Sequence, residues 1–145
     1  MVTGGTGFLG RHVVESFTKK GYQVIALVRD IQKANKIQQL QKAKIEHCEI
    51  YNKNLSYTFP VNSILIHCAW GDVKDSMSPN HLEHNLPDNY RFIKNAVEQK
   101  KLSRVVISGS CYEYGLKYGP VSASSSTKPN TPYAIAKVKL HKNLN

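Results

Sequence analysis

Cysteine is scarce in this chain of 145 residues, with only Cys48, Cys68 and Cys111. The three lie far apart, their number is odd, and none forms a C-x-x-C pair. Neither a disulfide framework nor a zinc site is indicated, and each reads as a buried thiol. Long apolar runs are also missing. None approaches the roughly 18 residues of a membrane span, so no membrane partner is expected. The amino terminus lacks the basic segment and apolar run of a signal peptide, which leaves the cytoplasm as the expected location. Acidic residues are few, 10 against 20 Lys and Arg, for a formal net charge of +10. Yet the basic residues are scattered from Arg11 to Lys142, and no aromatic-interleaved basic motif appears. That pattern argues against nucleic acid. It suits a solvated basic surface that attracts phosphorylated small molecules. There is no internal repeat, and the one low-complexity stretch, Ser122–Thr127 (SASSST), reads as a loop.

What is present is a globular composition, 41% hydrophobic, of one domain's length. Short apolar runs alternate with longer amphipathic ones. Val24–Val28 (VIALV), Ile64–Cys68 (ILIHC) and Val105–Ser108 (VVIS) read as buried strands. Lys44–Cys48 (KIEHC) is an alternating one, and Met1–Thr3 is a strand stub. Phe8–Lys20 carries Leu9, Val13, Val14 and Phe17 on one helical face and stops at Gly21. Ile31–Leu40 is a second predicted helix, with apolar residues at three-residue steps. Asn85–Lys100 is a third, with Pro87 in its first turn, where the missing N–H costs nothing. A last helix begins near Tyr133. This alternation predicts an α/β fold, a doubly wound parallel sheet of Rossmann type with strand order 3-2-1-4-5.

Thr3-Gly4-Gly5-Thr6-Gly7-Phe8-Leu9-Gly10 sits between the strand stub and the first helix. Gly4 suits the tight turn, because it can take a backbone geometry that a Cβ resists. Gly7 leaves room for a pyrophosphate, and Gly10 lets the helix pack closely. The first N–H groups of the helix then face the phosphates. The alternative is a glycine-rich turn with no ligand. At the end of the second strand, an NAD site usually carries an acid for the ribose hydroxyls. Here Val28 is followed by Arg29, whose planar cation grips a phosphate bidentately. NADP is therefore the favoured cofactor. Asp30 keeps NAD open, and Arg29 can also be read as a solvated arginine.

Tyr133-Ala134-Ile135-Ala136-Lys137 reads Y-x-x-x-K, which places Tyr and Lys on one helical face. A phenol in water ionises only at about pH 10, and it needs a cationic, water-shielded setting to act as a base at neutral pH.

Taken in order, these motifs are specific. T-G-G-T-G-F-L-G is followed by I-L-I-H-C-A at Ile64–Ala69, then Asn85, then V-V-I-S-G-S at Val105–Ser110. Tyr114-Gly115 and P-Y-A-I-A-K at Pro132–Lys137 complete the set. The chain resembles the extended short-chain dehydrogenase/reductase family, the NAD(P)-dependent epimerase/dehydratase group that works on nucleotide sugars. The resemblance implies that Ser110 hydrogen-bonds the reacting sugar oxygen and that Tyr133 is the general acid/base. It implies that Lys137 assists Tyr133 and holds the nicotinamide ribose. Asn85 resembles the asparagine that helps order this site; by residue type alone it reads equally as a helix N-cap. Ala69 falls where the family's backbone passes the cofactor. Glu49, with Ile50 beside it, falls where the family often places an acid near the adenine. His67 reads as a satisfied strand histidine, and His81 and His84 lack a third metal ligand.

The resemblance further implies a nucleotide-sugar substrate, and it admits a homodimer in the full-length form. Dehydratases of the family carry a carboxylate just after the catalytic Ser/Thr. Here Cys111 and Tyr112 hold those slots and Glu113 comes one place late, so an epimerase or a 4-keto-sugar reductase is expected. The family usually runs to about twice this length. Residues 1–145 therefore read as an incomplete cofactor-binding domain, short at both ends, without the substrate-binding region. Marginal stability and poor catalysis are expected of it alone. The competing function is a non-catalytic NADP-binding module that senses redox state. Retention of Ser110, Tyr133 and Lys137 argues for the enzyme.

Overall fold

A computed structural model describes residues 1–144. Five parallel strands form one sheet: β1 (Val2–Thr3), β2 (Ile25–Val28), β3 (Lys44–His47), β4 (Ser63–His67) and β5 (Leu102–Ile107). Their order is β3-β2-β1-β4-β5, as the alternation predicts for a Rossmann-like α/β fold. The first strand is central although it has two residues. Val2 stands level with Ala26 on one side and Ile66 on the other, and Thr3 with Leu27 and His67. Met1 extends the pairing, because its carbonyl accepts the Ile66 N–H at 2.8 Å. Its ammonium donates to the Ile64 carbonyl at 2.7 Å, and burial lowers the pKa of that amine. Thr3 is fully buried, and its hydroxyl is matched by the His67 Nδ1 at 2.9 Å. That pairing satisfies two polar groups inside an apolar sheet.

Helix α1 (Phe8–Lys19) follows the glycine turn. Val14 and Gly10 are buried, with Val13 and Phe17 packed against the core. Leu9, expected on that face, is 51% exposed, because it lies in the first turn beyond the end of the two-residue β1. The helix ends as Gly21 predicts. Gly21 takes φ +84°, its N–H bonds the Thr18 carbonyl, and the Tyr22 N–H bonds the Phe17 carbonyl. The rings of Phe17 and Tyr22 then meet edge to face at 5.4 Å. Both the hydrogen bonds and the apolar contact are those of a Schellman stop.

The second predicted helix is shorter than its spacing suggests. Helix α2 (Ile31–Asn35) ends at Lys36, Ile37 is extended, and Gln38–Leu40 forms a separate 3₁₀ turn. The three-residue step from Ile31 to Leu40 is the 3₁₀ period rather than 3.6. Ala34 and Leu40 are buried while Ile31 is 41% exposed. They join Val2, Val14, Val24, Ala26 and Val28 in one core cluster. A second set of contacts anchors the far strand. Tyr57 donates to Glu46, which also pairs with Lys44 at 2.7 Å, and the Tyr57 and Phe59 rings meet edge to face at 5.1 Å. Of the cysteines expected to be buried, Cys48 is, Cys68 is partly so, and Cys111 is exposed because it opens a surface turn.

The chain divides into two compact units. The first, Met1–Ala69 with Asn95–Ser108, holds the sheet, α1 and α2. The second comprises Trp70–Lys94 and residues 109–144. It contains a 3₁₀ turn at Cys111–Tyr114 and helix α4 (Pro132–Leu144). Ser122–Thr127 is a loop, as expected, tied by hydroxyl contacts of Ser122 with Ser124 and Ser125. Asn85 does not begin a helix. A π-helical turn at His81–Asn85 runs straight into α3 (Leu86–Glu98). The cause is Pro87. Its ring would clash with the carbonyl four residues earlier in a regular helix, and it cannot donate to it. The wider turn immediately before it relieves both demands. Among the described residues, no helix is long and apolar enough to cross a membrane.

Candidate functional site

In the first unit, the candidate residues gather at the carboxyl ends of successive strands, the edge where open α/β sheets bind ligands. Gly4 follows β1 with φ +68°, and a Cβ there would stand 2.8–2.9 Å from the backbone of Ala69 and Cys68. The turn is thus pressed against the end of β4, and the Ala69 N–H donates to the Thr3 hydroxyl at 3.4 Å. A Cβ on Gly10 would collide with the Gly4 carbonyl, so that glycine seats α1 on the turn. Gly7 is the N-cap of α1, no side chain caps the helix, and its first turn carries no acid. Gly5 is buried against Ala26, while Phe8 and Leu9 are exposed and Thr6 is half-buried. The orphan N–H groups of the helix start are therefore left for an anion. Arg11 adds a buried Nε with no hydrogen-bond partner, an unmet donor just after Gly10. The residues present fit a dinucleotide pyrophosphate.

After β2, Arg29 is exposed with its guanidinium 5.7 Å over the Tyr51 ring. Asp30 caps α2, accepting the Lys33 N–H at 2.8 Å. After β3, the Glu49 carboxylate accepts the Tyr51 N–H at 3.3 Å, and Ile50 is buried. Glu49, Tyr51 and Arg29 are thereby linked in one group.

In the second unit, Ser110 is the N-cap of the 3₁₀ turn. Its hydroxyl accepts the Tyr112 N–H at 3.2 Å, and the Glu113 carboxylate accepts the Ser110 N–H at 2.7 Å. This closed capping box explains the late position of Glu113: its carboxylate holds the turn that presents Ser110. Helix α4 carries Tyr133 and Lys137. The Tyr133 N–H, an orphan of the helix start, donates to the Ser76 carbonyl at 3.1 Å. The Tyr133 ring is surrounded edge-on by Trp70 at 6.1 Å, His81 at 5.1 Å and Tyr112 at 6.0 Å. The Lys137 ammonium lies 4.4 Å from the centre of the Trp70 ring, and the residue is only 5% exposed.

Asn85 is buried and acts from inside the π turn, not as an N-cap. Its amide donates to the Gly71 carbonyl at 3.2 Å and meets the His81 Nδ1 at 3.3 Å. The Gly71 backbone passes so close that a Cβ there would lie 2.6 Å from the Asn85 side-chain oxygen. Asn89 closes the turn by donating to the Asn85 carbonyl at 2.6 Å. Among the described residues, no group of three or more His, Cys, Asp or Glu could hold a metal ion.

Trp70, His81 and Tyr112 are the residues that the sequence reading misses. Trp70 directly follows the I-L-I-H-C-A run, and His81 lies four residues before Asn85. Those two offsets were the available signals.

Comparisons with known proteins agree with this geometry. A model of the NAD dependent epimerase/dehydratase family matches residues 1–144. A dTDP-6-deoxy-L-talose 4-dehydrogenase (NAD(+)) of Aggregatibacter actinomycetemcomitans is 30% identical, covering 94% of this chain and 50% of that protein. A UDP-glucose 4-epimerase of Halalkalibacterium halodurans is also 30% identical, over 98% of this chain and 44% of that one. The chain therefore spans about half the length of the curated relatives it matches. Among solved structures, a UDP-glucuronic acid 4-epimerase from Bacillus cereus, with NAD and a fluorinated UDP-sugar, superimposes with a TM-score of 0.78 at 22% identity. It covers 97% of this chain and 49% of its own. At that identity the likeness speaks for the fold.

Proposed function

The chain belongs to the NAD-dependent epimerase/dehydratase family, and from that premise we propose that it carries the cofactor-binding part and the proton-transfer residues of an enzyme acting at position 4 of a nucleotide sugar. The observation that carries the proposal is the convergence of Tyr133 and Lys137 on one indole, with Ser110 presented by its own capped turn. Two relatives that act at position 4 of a sugar, one a dehydrogenase and one an epimerase, support the same position.

In this reading the glycine turn and the start of α1 hold the pyrophosphate, and Glu49, Ile50 and Ala69 line the adenine and ribose path. When bound, the nicotinamide supplies hydride acceptance or donation. Tyr133 takes the proton of the sugar 4-hydroxyl as the C–H bond breaks, and returns it when a 4-keto sugar is reduced. Ser110 donates a hydrogen bond to the same oxygen as charge develops on it. Lys137, one helical turn on from Tyr133 on the same face of α4, assists it. Glu113 is engaged by the Ser110 N–H, which favours an epimerase or 4-keto-sugar reductase over a dehydratase. Asp30 is occupied as a helix cap while Arg29 is exposed, and on that ground we infer a preference for the 2′-phosphate of NADP.

Two measurements test this. Thermal melts with NADP⁺ and with NAD⁺ should show the larger rise with NADP⁺; a larger rise with NAD⁺ overturns the role of Arg29. In the full-length form, Tyr133→Phe should keep the cofactor-induced rise and abolish turnover of a nucleotide 4-keto sugar. Retained turnover would remove Tyr133 from the chemistry, whereas dinucleotide binding without turnover in the unaltered full-length form would favour a non-catalytic NADP-binding module.

A further inference from the structure

The i, i+4 spacing puts Tyr133 and Lys137 on one face of α4, but it does not fix their long side chains. Lysine has four rotatable bonds, and freezing such a chain costs up to about 2 kcal/mol of rotamer entropy. Something has to hold both reactive ends. Trp70 meets the ammonium of one and the ring of the other. Its ring face lies under the Lys137 ammonium at 4.4 Å, and the Tyr133 ring stands against it at 6.1 Å and 79°. A nearly buried ammonium requires compensation for lost water, and an indole face supplies part of it.

The indole is itself anchored. Its N–H donates to the His81 Nδ1 at 3.1 Å. An indole N–H can only donate, so Nδ1 offers a lone pair. The His81 Nε2 lies 2.8 Å from the Asp75 carbonyl, which can only accept, so Nε2 carries the proton. The Asn85 amide approaches the same Nδ1 from a second side at 3.3 Å. His81 is fully buried and is thus fixed as a neutral Nε2–H ring with both nitrogens engaged. The next carbonyl, of Ser76, holds the Tyr133 N–H. Two consecutive carbonyls of one loop therefore set the His81 ring and the start of α4 together.

We propose that Trp70, locked by the Nε2–H tautomer of His81, is the positioning residue of the Tyr133–Lys137 pair. The proposal rests on the reading that this pair does the proton transfer. It adds Trp70 and His81 as residues that act through the pair rather than on substrate. Loss of such positioning costs about tenfold to a hundredfold in rate.

Trp70 is the single tryptophan of the chain, so its fluorescence reports on this contact alone. The experiment compares the unaltered chain with His81→Leu, which removes the acceptor, and His81→Asn, which restores one near Nδ1. Lys137→Met and Trp70→Phe complete the set. His81→Leu should lower the anisotropy of Trp70 and red-shift its emission, and His81→Asn should return both toward the starting values. Lys137→Met should change the emission intensity, because the cation leaves the ring. In turnover assays of the full-length form, His81→Leu should lower kcat about tenfold to a hundredfold and be rescued by Asn. Trp70→Phe keeps a ring under Lys137 but drops the anchoring N–H, and should lower kcat as well.

Anisotropy unchanged in His81→Leu, or Asn no better than Leu, overturns the role of His81. Emission unchanged in Lys137→Met overturns the Trp70 contact, and that arm stands even where His81→Leu fails to fold. If the fluorescence pattern is as expected but the unaltered full-length form shows no turnover, the catalytic reading fails while the restraint on the pair survives. Normal turnover with an unresponsive Trp70 means the reverse.

Discussion

Replacing Gly4 with alanine tests the glycine turn directly, because the fold supplies its own control. Gly4 and Gly21 both sit at positive φ, +68° and +84°. An added Cβ at Gly21 meets nothing within 4 Å, whereas at Gly4 it meets the Ala69 N at 2.8 Å and the Cys68 carbonyl carbon at 2.9 Å. Both substitutions carry the cost of a left-handed alanine, about 1–2 kcal/mol. Both also recover about 0.4–1 kcal/mol by stiffening the unfolded chain. Gly21→Ala should therefore cost about 1 kcal/mol. Gly4→Ala carries in addition an overpacking term of about 1–3 kcal/mol, since the neighbours are backbone atoms just past the end of β4 and cannot swing aside. The total for Gly4→Ala is about 2–4 kcal/mol, a large share of the roughly 5–15 kcal/mol that holds a domain together. At about 3–5 °C per kcal/mol for a chain of this size, the melting temperature should fall by about 6–20 °C, against about 3–5 °C for Gly21→Ala. The assay is a thermal melt of each variant with and without dinucleotide. Gly21→Ala should keep the cofactor-induced rise and Gly4→Ala should lose it. Equal destabilisation by the two substitutions would refute the reasoning, because the turn could not then be pressed against the end of β4.

The capping box at Ser110 makes a smaller claim. Glu113→Ala should cost about 1 kcal/mol, while Glu113→Gln, which keeps an acceptor for the Ser110 N–H, should cost less; equal losses in thermal melts would show that the box contributes nothing. Alkaline pH should weaken the fold. Burial and the bond to Glu46 push the Tyr57 hydroxyl well above the usual phenol range, and burial pushes the Cys48 thiol up to about 11. Both groups favour the folded state while protonated. Their contribution is complete well below the ordinary thiol value of about 9 and is lost as pH rises from there through the folded values. Denaturant melts between pH 8 and 11 should therefore show falling stability, with a shallower fall in Tyr57→Phe; an unchanged slope counts against the Tyr57 contribution.

Much of this arrangement is legible in the residues. Gly4 and Gly10 could be read because close backbone approach and positive φ leave no other residue type. Gly21 could be read because a helix with Phe17 near its end and Tyr22 just past it completes a Schellman stop. The strand order followed from the alternation of elements, even with β1 reduced to Val2 and Thr3. The misreadings share a cause. The three-residue steps of Ile31, Ala34, Ile37 and Leu40 fit two local geometries, and contacts with the core chose between them. Asn85 reads as a cap by its residue type at the start of the predicted helix, whereas it lies inside a wider turn that runs into α3. Trp70 and His81 come together only through the path of residues 71–80, and no spacing along the chain encodes the bond between an indole N–H and an imidazole. Glu113 was out of register for a dehydratase carboxylate, and only the folded turn gave it a partner.

The π turn at His81–Asn85 has a consequence for anyone comparing this segment across species or editing it. It behaves as a one-residue insertion in a helix, and each residue of a helix advances the side chains by about 100°. Residues at the start of the turn, His81 among them, are therefore out of phase with Phe92 and Ile93 after it. An alignment that places its gap a few positions away will pair His81 with the wrong neighbour while every downstream residue still looks correct. Deleting one residue among 82–84 would yield a straighter and more regular helix, and it would turn the imidazole away from the indole it anchors.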